Sequence, residues 1–372
     1  MKKLQLLLLV GRCLVVALAR GKAKRVPAQP KKICIIQRAK LGDMVCTTPL
    51  FNAIKKQYPA AAVWVVGDAL NKELLAGHPS VDGYIVWPRA ILSIENELRA
   101  QHFDALCITA TSAEAVVSAF LAGVPCIVAP KIAGGWSPYE TKLYSLVRSL
   151  VFTAPHTMGQ YAPREYLRLL SPLGIHTTDT KKTLIYSPQA AQKAEVYLHS
   201  IRWDTKLLVG IAPGAGNKIK EWPPERFAAV ADHIAATYSA TVVVFGSSRD
   251  EEEVAAMMRA VTNKDRVHNA LGVFAIDELK AAVSKLSLFI SGDTGPIYIA
   301  EAFGVPTIDI VGPMDEREQP PQGERHYVLV PPRKTPQLHI MNASVYDAAE
   351  ARRQAEAVRV EDVMATIAKA LT

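Results

Sequence analysis

Four short polar stretches carry the side chains able to do chemistry, and each directly follows an apolar run. Arg38-Ala39-Lys40-Leu41-Gly42-Asp43 follows Ile33-Cys34-Ile35-Ile36. A lone carboxylate there, Asp43, can take a proton from an attacking hydroxyl, or simply cap the next helix. Pro213-Gly214-Ala215-Gly216-Asn217 precedes Lys218, Lys220 and Trp222-Pro223-Pro224-Glu225. Glycines let a backbone approach a ligand closely and a lysine supplies charge for phosphate, though an ordinary strand-to-helix loop has the same composition. Asp293-Thr294-Gly295-Pro296 reads as a helix start, with proline in the first turn. Its N–H groups and dipole would face a phosphate, or Asp293 or Thr294 would only cap it. In Gly246-Ser247-Ser248-Arg249-Asp250-Glu251, an acid could accept bonds from ribose hydroxyls, or only complement the helix dipole.

Other chemistries lack their residues. There is no GxxxxGK[ST] phosphate loop, no HExxH, no GxSxG and no paired-cysteine motif. His78, His102, His156 and His233 have no ligand spacing and read as surface or core residues. Neither a metal nor a cofactor is expected. Cys13, Cys34, Cys46, Cys107 and Cys126 lie in apolar surroundings and read as buried thiols.

The elements that position these stretches alternate. Short apolar runs at 33–36, 62–67, 84–86, 105–109 and 126–128 are expected strands, with helical spacing at 47–58, 92–101 and 112–122. The pattern restarts with strands at 207–212, 241–245, 288–291 and 307–311 and helices at 225–237, 250–261, 296–303 and 361–371. Alternation of this kind means α/β architecture with parallel sheets. Two doubly wound domains would hold ligands at the carboxyl ends of their strands, in a cleft between them. The expected division is a leader and linker at 1–31, domains at 32–185 and 186–345, and a helical segment at 346–372.

With 372 residues, two or three domains fit. The net charge of +8 is concentrated at one end. Residues 1–32 hold nine of the 43 basic residues and no acid, leaving 34 basic against 35 acidic in the body. A nucleic-acid binder would carry its basic surplus on the fold, so that class is excluded. Leu4 to Ala19 is shorter than the about 20 residues of a spanning helix. It reads as a basic amphipathic helix lying on a membrane surface through residues 1–25, with a secretory signal or spanning segment, or a helix packed on the protein, as alternatives. On that reading, deleting residues 1–30 releases the protein from vesicles and spares its chemistry.

Three segments, in order and spacing, resemble glycosyltransferase family 9, the lipopolysaccharide heptosyltransferases. They are ICIIQRAKLGDMVCTTPLFNAIKKQY at 33–58, GIAPGAGNKIKEWPPERFAAVAD at 210–232 and SGDTGPIYIAEAFGVPTIDIVGPMD at 291–315. The resemblance covers about residues 32–372 and is weakest at 68–180. It implies the GT-B fold of two facing Rossmann-like domains. It implies inverting transfer of a sugar, heptose, from a nucleotide-activated donor, ADP-heptose, to a hydroxyl of a lipid-linked lipopolysaccharide-core acceptor. The enzyme would work at the cytoplasmic face of the inner membrane. Asp43 matches the catalytic carboxylate and Lys220 the phosphate-binding lysine, with catalytic work assigned to both. Asp293, Thr294, Gly295 and Pro296, with Gly214, Trp222, Asp250 and Glu251, are the implied donor-binding residues. Tyr298 departs from the family, which often has histidine there. The alternatives are a GT-B sugar-nucleotide epimerase, another membrane-linked glycosyltransferase, or a non-catalytic lipopolysaccharide-assembly protein.

Overall fold

The computed structural model describes residues 2–88, 92–201 and 207–371. The chain forms two compact units. One comprises Met1–Ala39, Cys46–Lys181 and Ile340–Ser344, the other Lys40–Val45, Lys182–His339 and Val345–Thr372.

The first unit is built on six parallel strands: β1 (Lys32–Ile36), β2 (Ala62–Gly67), β3 (Gly83–Val86), β4 (Ala105–Ile108), β5 (Cys126–Gly134) and β6 (Phe152–Thr157). Their spatial order is β3-β2-β1-β4-β5-β6. β1 is central because Ile33 to Ile36 are apolar on both faces and at most 2% exposed. Its helices are α1 (Lys2–Arg20), α2 (Leu41–Gln57), α3 (Ala69–Leu74), α4 (Glu95–Gln101), α5 (Ala113–Ala122), α6 (Lys142–Arg148) and α7 (Ala162–Leu167). α2 begins at Leu41, six residues before its expected start, so Asp43 stands in a first helical turn rather than in a loop.

The leader is not a separate tail. α1 packs on α5 and α6, which explains why α5 can be apolar nearly all round. Val10 and Cys13 are buried, and Leu6, Leu9, Leu14, Val16 and Ala17 pack beside them. Arg12 forms a bidentate pair with Glu95 at 2.7 and 2.8 Å. Arg20 closes the helix onto the carbonyls of Phe120 and Gly123. The expected linker is likewise tied down, by Ala23 N–H to the Leu150 carbonyl and Arg25 N–H to that of Pro125. The opposite face of α1 is open: Leu4, Leu7, Leu8, Val15 and Leu18 are 54–90% exposed. Among the described residues, no helix is long and apolar enough to cross a membrane.

The second unit repeats the plan with β7 (Leu208–Ala212), β8 (Thr241–Gly246), β9 (Val267–Leu271), β10 (Leu288–Gly292), β11 (Thr307–Ile310) and β12 (His326–Leu329), again all parallel. The order is β12-β11-β10-β7-β8-β9. Its helices are α8 (Pro188–Ser200), α9 (Pro224–Tyr238), α10 (Glu251–Ala260), α11 (Ile276–Ser284), α12 (Gly295–Ala302), α13 (Ala348–Glu356) and α14 (Val360–Ala370). Counted from its own first strand, each sheet runs 3-2-1-4-5-6, the doubly wound order whose direction reverses beside the first strand. The strands that sequence reading missed, β6, β9 and β12, are all at sheet edges. Edge strands carry polar residues such as His268 and Asn269, which hides the apolar run. All five cysteines are buried thiols outside any disulfide. Burial pushes the Cys13 and Cys126 thiols up to about 11.

Candidate functional site

The second unit brings its charge together at the switch point. β10 pairs with β7, with Ser291 opposite Ala212, so the chain leaving each strand emerges beside the other. After β7 the loop turns through a short 3₁₀ segment, Lys218–Lys220, held by Lys220 N–H on the Asn217 carbonyl at 3.0 Å. After β10 comes Asp293. Lys220 Nζ lies 2.9 Å from Asp293 Oδ2 and also donates to the Asp293 carbonyl. Tyr298, one turn into α12 and only 2% exposed, donates its hydroxyl to Asp293 Oδ1. Thr294 stands at the N-cap of α12, and its side chain makes no cap hydrogen bond. Pro296 has no N–H, so in this turn Thr294 and Gly295 supply the donors.

Lys218 does different work. It pairs with Glu253 and, at 3.4 Å, with Glu221. Glu221 in turn accepts the Ala215 N–H at 3.0 Å and holds the glycine loop.

Lys40–Val45, the first turn of α2, belongs to this unit. Two glycines let it lie against the first turn of α12. A Cβ on Gly42 would come within 2.8 Å of the Tyr298 ring, and one on Gly295 within 2.7 Å of Leu41. Lys40 reaches the Gly216 carbonyl. Asp43 is thereby set near Lys220 and Asp293, and its Oδ1 accepts the Gln319 side-chain amide at 3.1 Å. Burial raises the Asp43 pKa; Gln319 and Lys220 oppose the rise, and the Asp293 charge adds to it. A carboxylate made more basic in this way suits proton abstraction.

The structure thus joins Asp43, Lys220, Asp293, Thr294 and Gly295. Gly214 and Asp250 form a second contact: a Cβ on Gly214 would collide with the Asp250 carboxylate. Asp250 Oδ2 also closes a capping box on Ser247, with both bonds at 2.8 Å. Glu251 is exposed in the first turn of α10. Trp222 corrects the expectation of a donor contact. It is 1% exposed, its indole N–H bonds the Val358 carbonyl at 2.9 Å, and its ring meets Phe227 edge-on at 4.8 Å. It holds the C-terminal segment to α9, as a core residue.

Three residues escaped the sequence reading as parts of the site. Tyr298 was visible only as a departure from the family. Asp309 lies in β11 opposite Ser291 and is 1% exposed. Burial, then the Asp293 charge, holds its carboxyl well above the ordinary range. An acid inside the apolar run Thr307-Ile308-Asp309-Ile310-Val311 was the available signal. Gln319, 276 positions from Asp43, had none.

Beside Gln319 is a knot of charge. Asp315, Glu318 and His339 bring one donor atom each within 4.8 Å of one another, and are the described residues that converge as a metal ion requires. Arg317 engages both oxygens of Asp315, at 2.8 and 2.6 Å. His339 Nδ1 is 3.3 Å from Asp315 and 3.5 Å from Glu318, and these carboxylates push its pKa up to about 9. The cluster is neutralised by its own cations.

Comparison with known proteins agrees with this fold. The sequence profile of Glycosyltransferase family 9 (heptosyltransferase) matches residues 91–344. Lipopolysaccharide heptosyltransferase 2 of Escherichia coli (strain K12) is 23% identical over 315 residues, 80% of this chain and 87% of that protein. The crystal structure of the glycosyl transferase family 9 protein from Veillonella parvula DSM 2008 superposes with a TM-score of 0.76 at 21% identity, covering 93% of this chain and 99% of that one. E. coli ADP-heptose lps heptosyltransferase II superposes with a TM-score of 0.70 at 18% identity, covering 91% and 98%. With two doubly wound sheets, its charged residues gathered at a strand-order switch and a profile match over most of its length, the chain belongs to glycosyltransferase family 9, the heptosyltransferases.

Proposed function

We propose that this glycosyltransferase moves heptose from ADP-heptose to a hydroxyl of a lipopolysaccharide-core acceptor, with inversion at the anomeric carbon. The observation that carries the reading is the joining of Asp43, Lys220 and Asp293. The acceptor hydroxyl loses its proton to Asp43 as its oxygen attacks the anomeric carbon. The bond to the nucleoside diphosphate breaks on the opposite face, so one displacement inverts the configuration. Lys220 and the N–H groups of Thr294 and Gly295 stabilise the charge that grows on the departing diphosphate. Lys220 exchanges its Asp293 partner for phosphate as the donor binds. Gly214 and Asp250 lie on the ribose side. Names of relatives support the donor and acceptor, since the aligned proteins are lipopolysaccharide and ADP-heptose heptosyltransferases.

The acceptor's lipid places the reaction at the cytoplasmic face of the inner membrane. The open face of α1, with Leu4, Leu8, Val15 and Leu18, would enter the headgroup boundary, flanked by exposed Lys3, Lys22, Lys24 and Arg25. Each basic residue near an anionic surface adds about 1 kcal/mol.

Two measurements test the reading. In a thermal-shift panel, ADP-heptose should stabilise the protein more than UDP- or GDP-sugars; a stronger shift with a UDP-sugar overturns the donor. Asp43→Asn should lower kcat at least about 100-fold while donor affinity stays nearly constant. More than half the wild-type rate in that variant would leave Asp43 a structural residue of the α2 first turn.

A further inference from the structure

The loop Pro313–Pro320 is far more strongly braced than a connection between β11 and β12 requires. Gln337 and Leu338 both donate to the Pro313 carbonyl, at 2.9 and 3.0 Å, and Asp315 N–H returns a bond to Leu338 at 3.0 Å. Glu318 N–H closes on the Asp315 carbonyl at 3.1 Å. Arg317 forks onto Asp315, and His339 bridges Asp315 and Glu318. The next residue is Gln319, itself followed by Pro320 and Pro321. A residue before proline is disfavoured in the helical region, so Gln319 has fewer backbone conformations to lose on folding. All this bracing converges on a side chain that is 8% exposed and donates to the carboxylate assigned above as base.

We propose that Gln319 is a positioning residue for Asp43, and that the Asp315–Arg317–Glu318–His339 knot serves to hold its amide against that carboxylate. The inference rests on the reading of Asp43 as base. The amide favours the charged form and orients the carboxylate. The other groups acting on Asp43 are Lys220 and the Lys40 N–H, which also favour the charged form, and Asp293, which opposes it. None of these is removed by changing Gln319.

The test combines a titration with turnover. With aspartates labelled at the side-chain carboxyl with ¹³C, the Asp43 signal is the one absent from Asp43→Asn. In Gln319→Met its midpoint should rise by about one to two pH units, since a hydrogen bond to a charged group contributes about 1.5–3 kcal/mol. The acid limb of kcat for ADP-heptose should move upward by the same amount, with donor KM changed less than about twofold. Gln319→Asn keeps the amide but shortens its reach, and should give a smaller shift; it serves as the second variant if Gln319→Met is poorly folded. Asp315→Asn should reproduce part of the shift without touching Asp43. An unchanged midpoint in both Gln319 variants overturns the inference. A shifted midpoint with an unshifted kcat profile instead overturns the base role of Asp43, so the two failures are told apart.

Discussion

The two units share a strand order and differ in what they place at the same point of it. In the first, the ends of β1 and β4 carry Gln37 and Thr109, both 1% exposed and both neutral. Gln37 donates to Thr47 at 3.0 Å and Thr109 to the Ile36 carbonyl at 3.0 Å. In the second, the chain beyond β7 and β10 carries Lys220 and Asp293, a close ion pair with Tyr298 and Asp309 beside it. The first unit also uses an extra helix, α1, to cover α5, whereas the second is covered by amphipathic helices that follow its own strands. Topology therefore makes a place for ligand twice, and Lys40 and Asp43, beyond β1, are counted with the second unit, where Asp43 acts with Lys220 and Asp293. Stability should reside in α1 for the first unit, and catalysis in the second, where the first turn of α2 meets the loops after β7 and β10.

Four changes would break or sharpen that contrast. The largest effect is expected from removing residues 2–20. This strips Val10, Cys13 and five partly buried apolar neighbours from α5 and α6. On the order of 5 kcal/mol of folding stability should be lost, read as an earlier urea midpoint. An unchanged midpoint would return α1 to the status of a detachable leader. Next, Lys220→Ala should lower kcat about tenfold or more and raise donor KM, because the lysine meets more charge in the transition state than in the ground state. A KM effect alone would make it a uniform binding residue.

A smaller effect should follow from Leu8→Ser combined with Leu18→Ser on the open face of α1. Sedimentation with anionic vesicles should fall about tenfold or more, as two apolar side chains stop contributing about 1.5–3 kcal/mol each. Activity on a short, detergent-solubilised acceptor should be retained; equal sedimentation of variant and parent would exclude this face as the docking surface.

The smallest effect concerns pH. The His339 pKa is raised from 6.5 to about 9 by Asp315 and Glu318, so its contribution to stability is complete below pH 6.5 and disappears as pH rises through about 9. Melting temperature should decline across that interval and decline less in His339→Gln. Parallel curves for the two proteins would show that the knot does not depend on the histidine charge.

Much of this was legible in the sequence because it rests on local pattern. Buried parallel strands such as β1 and β7 are continuous apolar runs, and glycine-rich turns with Asp43, Lys220 and Asp293 follow them at fixed spacing. Of the four edge strands only β3 was legible; β6, β9 and β12 were hidden by polar residues such as His156, His268, Asn269 and His326. Nor was the partition of similar residues between roles. Lys218 and Lys220 are two positions apart, and only the orientation of the 3₁₀ turn sends one to Glu253 and the other to Asp293. Trp222 and Asp293 both lie in family-like segments, yet packing against Val358 makes the first a core residue.

The sequence alone determined the fold class, the charged loops and the family, since periodicity and short motifs are written within a few residues of one another. Tertiary structure decided that α1 is part of a core, that Tyr298 and Lys220 share the Asp293 carboxylate, and that Gln319 meets Asp43. Apart from Tyr298 and Asp293, one helical turn apart, these contacts join positions tens to hundreds of residues apart. No local propensity specifies them; they follow from burial and hydrogen bonding that must be satisfied together once the sheets have formed.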